Sequence, residues 1–173
     1  MNLTYEIHDK SIGSIEEILS FSKQNFTNYL DQRKQQLALD NLKSTTTNTD
    51  SKEYWQSLIQ DHNGHLFIAR NDKQVIALVF TFQKVLNKQH IWLAITHPDY
   101  HRLGIMKALF QKVQDHFTNQ NLTVNTIPEI FPNMPKFLQS LGFDIVNRKT
   151  VEGPFGALVE KIMLEKQSST SPV

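Results

Sequence analysis

The chain has no cysteine. Disulfides, thiolate metal sites and a cysteine nucleophile carrying a covalent acyl group are therefore excluded. Neither sign of charge dominates. The 18 basic and 17 acidic residues leave a formal charge of +1, which argues against a nucleic-acid binder that relies on a strongly basic face. No run of about eighteen apolar residues occurs, so no segment reads as membrane-spanning. The opening residues carry Glu6 and Asp9 in place of an apolar signal core. The phosphate-binding patterns Gly-x-Gly-x-x-Gly and Gly-x-x-x-x-Gly-Lys are both missing. What is present is 173 residues, 39% hydrophobic with 11 Phe, enough for one domain with a sizeable core. The expectation is a soluble, cytoplasmic protein.

Hydrophobic periodicity divides the chain into alternating strands and helices. Leu3, Tyr5 and Ile7 alternate with polar neighbours as a first strand would. Ser14 and Glu17 read as a capping box opening a helix that carries Ile15, Ile18, Leu19, Phe21 and Phe26. Residues 31–51 turn polar and read as a flexible insertion. A further helix over about 52–60 presents Tyr54, Trp55, Leu58 and Ile59. Strands are expected over 65–70 and 74–86 around an Asn71-Asp72-Lys73 turn. The run from Ile91 to Thr96 is nearly all apolar and reads as a strand buried on both faces. Met106, Leu109, Phe110, Val113 and Phe117 then recur at helical spacing. A fifth strand over 122–127, a short helix over 135–141 stopped by Gly142, and a closing hairpin over 144–150 and 158–164 around Gly153-Pro154-Phe155-Gly156 complete the order. That order, β-α-α-β-β-β-α-β-α-β-β, implies an α/β domain over 1–166 with a mixed sheet and helices on its faces. A polar tail follows over 167–173.

Chemistry concentrates between His97 and Phe110. A buried strand ends at Pro98, which cannot donate to a ladder and holds His97 extended. The chain then turns through Gly104 straight into an amphipathic helix. Such a junction leaves backbone N–H groups unpaired at the positive end of a helix dipole, where an anion such as a pyrophosphate is held. Gly104 lets the backbone approach closely, and Arg102 and Lys107 add positive charge. His97 and His101 stand four residues apart, as metal ligands on a helix can, but Pro98 between them breaks that geometry, and no metal site is expected.

The run His101-Arg102-Leu103-Gly104-Ile105-Met106 resembles the cofactor motif of the GNAT superfamily of acetyl-CoA-dependent N-acetyltransferases, Gln/Arg-x-x-Gly-x-Gly/Ala after a strand and a proline. It departs from that motif at His101 and at Met106, whose bulk would crowd the phosphates unless it points inward. Phe137-Leu-Gln-Ser-Leu-Gly-Phe143 resembles the late helix of the same family and its Leu-Gly-Phe ending. The resemblance covers about 65–164. It implies a mixed, mostly antiparallel central sheet with helices on both faces, acetyl-CoA as donor, and transfer of the acetyl group to a primary amine by direct attack in a ternary complex. The alternative is a non-catalytic acyl-CoA-binding sensor or a protein-interaction domain with the same fold.

By the same resemblance, strand four splays from strand five, and Leu93, Ile95 and Thr96 would hold the pantetheine arm through their main chain. Residues 101–107 would hold the pyrophosphate, and Asn133 would bond the cofactor's amide arm. The family's proton-donating Tyr falls on Leu138, so that acid is absent. His90, where some relatives carry Glu, is the candidate general base; its other reading is a strand-end surface histidine. Glu129 is a second catalytic candidate lining the acceptor cleft, or else a solvated carboxylate. Tyr54, Trp55, Phe80, Phe82, Trp92 and Phe131 can line an acceptor pocket or build the core. The acceptor is a small-molecule or peptide amine, and homodimers are common in the family. Neither nucleic acid nor membrane is an expected partner.

Overall fold

A strand's pleat sends successive side chains to opposite faces and a helix returns them to one face every three to four residues, and the chain uses both periods. The computed structural model describes residues 1–10, 13, 15–36, 51–153 and 156–169. In order these form β1 (Leu3–His8), α1 (Glu16–Ser22), a π-helical turn (Lys23–Thr27), α2 (Asn28–Gln36), α3 (Lys52–Asp61), β2 (His65–Asn71), β3 (Gln74–Val85), β4 (Lys88–Thr96), a 3-10 turn (Pro98–Tyr100), α4 (Ile105–His116), β5 (Asn121–Thr126), α5 (Met134–Ser140), β6 (Asp144–Glu152) and β7 (Leu158–Lys166). Ser14, residues 37–50 of the expected insertion, Pro154 and Phe155 of the hairpin turn, and residues 170–173 of the tail lie outside the described residues.

The strands form one seven-stranded sheet in the order β1-β2-β3-β4-β5-β7-β6. All neighbours are antiparallel except β4 and β5. β1 to β4 lie side by side in sequence order, β1 joined to β2 through α1 to α3 and β2 to β4 through tight turns, with Asp72 and Asn87 in the left-handed region at φ 52° and 60°. Short polar side chains tolerate that region better than most. The closing hairpin inserts its second strand, β7, against β5 and leaves β6 at the edge.

Each sheet face carries its own apolar cluster. On one side α4 supplies Leu109, Phe110 and Val113, which pack with Phe67, Val79, Ile91, Val124, Leu164 and α5's Leu138. On the other, α1 and α3 supply Ile18, Phe21, Trp55, Leu58 and Ile59, which pack with Leu66, Leu78, Phe80, Leu93 and Ile95. The apolar run of β4 is thus divided between the two clusters, as its composition predicts. Among the described residues no helix is long and apolar enough to cross a membrane.

α3 opens as a capped helix should: the Ser51 hydroxyl accepts the Tyr54 amide at 3.2 Å. The first helix behaves differently from its sequence. It does not stop near Phe26 but passes through the π-helical turn and continues through Asp31 to Gln36, across polar residues that read as loop. Tertiary anchors account for this. Leu30 packs on Ile130 with Tyr29 and Phe131 around them, Tyr29 stacks on Phe131 with ring centroids 5.4 Å apart, and Arg33 reaches the loop after β5, where its Nε donates to the Ile130 carbonyl at 3.1 Å and its Nη2 to the Glu129 carbonyl at 2.8 Å.

Candidate active site

The site begins with a fault in the sheet. Between β3 and β4 the register steps from Phe80↔Leu93 to Thr81↔Ile91, so Trp92 is an extra residue on β4. Such a bulge bends its strand and ends regular pairing. On its other side β4 pairs with β5 only from Lys88↔Asn121 to Ile91↔Val124. From Trp92 onward the two strands diverge, and the opening between them is lined by Trp92, Leu93, Ala94, Val124, Asn125 and Thr126, with Phe26 and Phe131 above. The buried Oδ1 of Asn125 and Oγ1 of Thr126 have no hydrogen-bond partner among the described residues. Polar atoms buried without partners cost free energy, and both of these line the opening.

The opening continues into a cleft of about 340 Å³ between the second half of β4 and the residues before α5. The π-helical turn and α2 roof it with Asn25, Phe26 and Tyr29. π-helical turns recur at functional sites. Here the turn carries Gln24, Asn25 and Phe26 to the cleft wall.

At its outer end the cleft meets the loop before α4. His97 caps the 3-10 turn, its Nδ1 accepting the Asp99 amide at 3.2 Å. His101 donates from Nε2 to the Thr96 carbonyl at 3.0 Å, tying the loop back to the end of β4. The two histidines are thus engaged in the loop itself. Arg102 then sits at φ 63° and Gly104 at φ 76°. A left-handed Arg costs about 1–2 kcal/mol, a strain of the kind that gathers at ligand-binding loops. The first α-helical bond of α4 runs from the Ala108 amide to the Gly104 carbonyl at 3.0 Å. The amides of Ile105, Met106 and Lys107 therefore have no helical acceptor, and no side chain caps them. A Cβ added to Gly104 would meet no atom within 4 Å. Exposed donors, open space and the positive end of a helix dipole together suit an anion of phosphate size.

The structure brings most of the sequence-nominated residues to this groove. Thr96, His101, Arg102, Gly104, Ile105, Met106, Lys107 and Asn133 all line its outer part. The side chains of Ile105, Leu93 and Ile95 are buried in the core, so these residues can offer only main-chain atoms. Met106 is half-buried: it packs against the α4 cluster and also lines the groove, so it is turned only partly inward. Leu103 points outward, 54% exposed. Asn133 is the residue before α5, and its amide caps nothing. Leu138, the counterpart of the family tyrosine, is fully buried.

The catalytic nominees fare unequally. Glu129 is exposed and, among the described residues, is held only through its carbonyl, which accepts from Arg33; neither it nor His90 lines the cavities described above, and only His90 is buried beside the opening. His90 is buried, not a surface histidine: 7% exposed, next to the last β4–β5 pair, with Nδ1 2.8 Å from Thr123 Oγ1 and its ring edge-on to Phe82 at 5.5 Å. Burial, with Lys84 and Lys161 nearby, lowers its pKa from 6.5 to about 4. Of the aromatics, Trp55 and Phe80 are core, while Trp92 and Phe131 line the opening. Sequence reading missed Asn125, Thr126 and Tyr29. Asn125 and Thr126 carry no signal beyond lying at a strand end, and Tyr29 lies in a segment that resembles the family only loosely.

The depressed His90 pKa has a consequence for stability. Above about pH 6.5 the imidazole is neutral in both the folded and the unfolded chain and contributes nothing. As the pH falls from 6.5 toward 4 the unfolded chain takes up the proton and the folded one resists, so stability is lost. The expected loss attributable to this group by pH 4 is roughly 3 kcal/mol. His90→Gln should lose that much less over the same window. Urea midpoints at pH 7, 5.5 and 4.5 for both chains check this, and equal acid losses would mean that His90 is not the titrating group.

A mostly antiparallel sheet split beside a bulge, with a glycine-led anion cradle at the mouth of the split, describes an α/β fold whose groove suits an anion-bearing ligand. The family model described as an acetyltransferase (GNAT) domain matches residues 20–154, and the chain belongs to that family. Among solved structures, yncA of Salmonella typhimurium, whose structure holds its cofactor acetyl-CoA, superposes with a TM-score of 0.69 at 12% identity over 100% of this chain and 97% of that one. The paia N-acetyltransferase of Thermoplasma acidophilum, in complex with coenzyme A, gives 0.68 at 14% identity over 95% and 99%. The ribosomal-protein-S18-alanine N-acetyltransferase of Escherichia coli gives 0.57 at 15% identity over 98% and 97%. At these identities the likeness is one of fold. No curated protein matches the sequence.

Proposed function

We propose that this protein transfers the acetyl group of acetyl-CoA to a primary amine by direct attack in a ternary complex. The observation that carries the reading is the continuous groove from the Gly104 loop to the β4–β5 opening, with orphaned polar atoms at its inner end. The free amides of residues 105–107 and the side chains of Arg102 and Lys107 would hold the pyrophosphate. The free edge of β4 from Leu93 to Thr96, with Asn133 opposite, would hold the pantetheine arm. When bound, acetyl-CoA supplies an electrophilic thioester carbonyl.

The remaining work falls to this chain. The opening beside Trp92 positions an amine against that carbonyl and gives the encounter the character of an intramolecular step. Asn125 Oδ1 accepts an N–H of the amine and so orients its lone pair. His90, neutral across the physiological range, takes up the amine's proton. With a pKa of about 4 it is a weak base, so its contribution is expected to fall well below the usual hundredfold or more of a matched one. With Leu138 in place of a phenol, the departing thiol relies on its own acidity, a pKa of about 8.5 by analogy with cysteine.

The test is thermal melting with acetyl-CoA, free CoA and ATP, followed by thiol release with an amine panel. Ligand at about a hundred times its Kd stabilises by about 2.7 kcal/mol, which is a clear upward shift. Acetyl-CoA should exceed ATP. No shift with millimolar acetyl-CoA would remove this reading.

A further inference from the structure

Registers across the outer half of the sheet bring residues from four strands to one face. His90 pairs with Thr123 on β5. Two residues on, Asn125 pairs with Met163 on β7, and two residues back from Met163, Lys161 pairs with Lys149 on β6. Paired residues share a face and alternate residues return to it, so these side chains stand together on the side away from α4. Lys84, two residues after His90's partner Phe82, is close enough to both His90 and Lys161 to lower their pKa values. Lys149 and Lys161 stand directly opposite each other across β6 and β7, and Lys149 lowers the Lys161 pKa.

Such a cluster is self-repelling. Among the described residues, none of the three lysines has a carboxylate partner within 4.0 Å. Glu165, on the same face of β7, is engaged by Lys88 at 2.9 Å. Burial and the two neighbouring lysines all push the Lys161 pKa down. Like charges placed this close without counter-charge stabilise nothing in the fold, but they suit a ligand that supplies the missing anion. The groove itself points the same way. No Asp or Glu lines the anion-loop end, the roofed cleft or the opening, so a polycationic amine would meet nothing that neutralises it.

We propose that the acceptor is an amine that also carries an anionic group, a carboxylate or a phosphate, which Lys149, Lys161 and Lys84 hold on the open sheet face while the amine enters the β4–β5 opening past His90 and Asn125. This deepens the acetyltransferase reading and rests on it. Transfer forms the amide C–N bond and breaks the thioester C–S bond. The amine's proton leaves through His90, and the departing thiolate is protonated from water.

Ethanolamine, β-alanine and O-phosphoethanolamine present one aminoethyl group with a hydroxyl, a carboxylate or a phosphate, and spermidine serves as the cationic comparison. At saturating acetyl-CoA, kcat/KM for at least one of the two anionic amines is expected to exceed those for ethanolamine and spermidine at least about tenfold, and to fall as salt is raised. Which of the two leads identifies the anion. Lys149→Gln with Lys161→Gln should lower the ratio of kcat/KM for that amine to kcat/KM for ethanolamine about ten- to a hundredfold. Lys149→Arg with Lys161→Arg should retain the preference. Equal or better turnover of ethanolamine or spermidine, or a preference untouched by the Gln pair, overturns the proposal and leaves the acetyltransferase reading standing. No CoA release from any of the four overturns both, and a retained melting shift with acetyl-CoA then shows that cofactor binding alone survives.

Discussion

Replacing Gly104 with Glu is expected to weaken acetyl-CoA binding about a thousandfold while leaving a folded protein. The two effects separate because of what surrounds this residue. A Cβ at Gly104 meets no atom within 4 Å, so nothing in the fold is displaced. The penalty is the left-handed backbone, φ 76°, which costs an L-residue about 1–2 kcal/mol and lowers Tm by about 2–4 °C per kcal/mol in a chain of this size. Binding suffers far more. A carboxylate about 4 Å from a phosphate charge, at an effective dielectric of about 20, repels it by about 4 kcal/mol, close to three decades in Kd. Gly104→Ala carries the same backbone penalty without the charge and should change Kd less than about tenfold. Calorimetric titration of the three proteins with acetyl-CoA measures this. Tight binding by the Glu variant would mean that the phosphates lie elsewhere.

The largest loss of stability is expected at Trp55. It is fully buried, with Phe80 at 4.9 Å and Trp92 at 5.9 Å between ring centroids. Removing such a side chain forfeits its transfer free energy and leaves a cavity, about 3–5 kcal/mol for Trp→Ala. Against a typical total of about 5–15 kcal/mol that is a large fraction, and it should lower Tm by about 6–20 °C. Because Trp55 also supports Trp92, the residue at the bulge, Trp55→Ala should further loosen the β4–β5 opening and raise KM for the acceptor even at temperatures where the variant is folded. A Tm within about 3 °C of the natural protein would mean that neighbouring rings refill the space.

Much of this architecture was legible from local sequence. Alternation in β1, the apolar runs of β2 to β4, the Pro98 stop, the Gly104 entry to α4 and the Gly142 stop are each written within a few residues, because strand pleat, helix period and special dihedrals are local demands. The turn from β4 into α4 was legible for the same reason. What could not be read depended on distant neighbours. Asp31 to Gln36 carries no apolar stripe and is helical because Tyr29, Leu30 and Arg33 find partners about a hundred residues away. The insertion of β7 between β5 and β6 is a choice of pairing partner, which alternation within a strand does not encode. Asn125 and Thr126 stand out only once the opening beside them is seen to leave their oxygens unpaired. Lys84 and the Lys149–Lys161 pair are far apart in sequence and meet only through strand register. His90 was correctly placed near the start of β4, but its burial follows from Phe82 and Thr123 on the strands either side.

The bonds that hold the roof of the cleft divide evolutionary freedom unequally. Tyr29 and Arg33 reach across with side chains, but what they grasp is main chain, the carbonyls of Glu129 and Ile130. On the receiving side any amino acid offers the same carbonyl, so Glu129 can drift without loosening the roof. On the donating side no such latitude exists, since a phenol and a guanidinium are needed at their present reach. In a lineage changing its acceptor, Glu129 is therefore free to vary early, while Tyr29 and Arg33, with the Ile130 and Phe131 side chains that Leu30 and Tyr29 pack on, stay fixed until the roof itself is rebuilt.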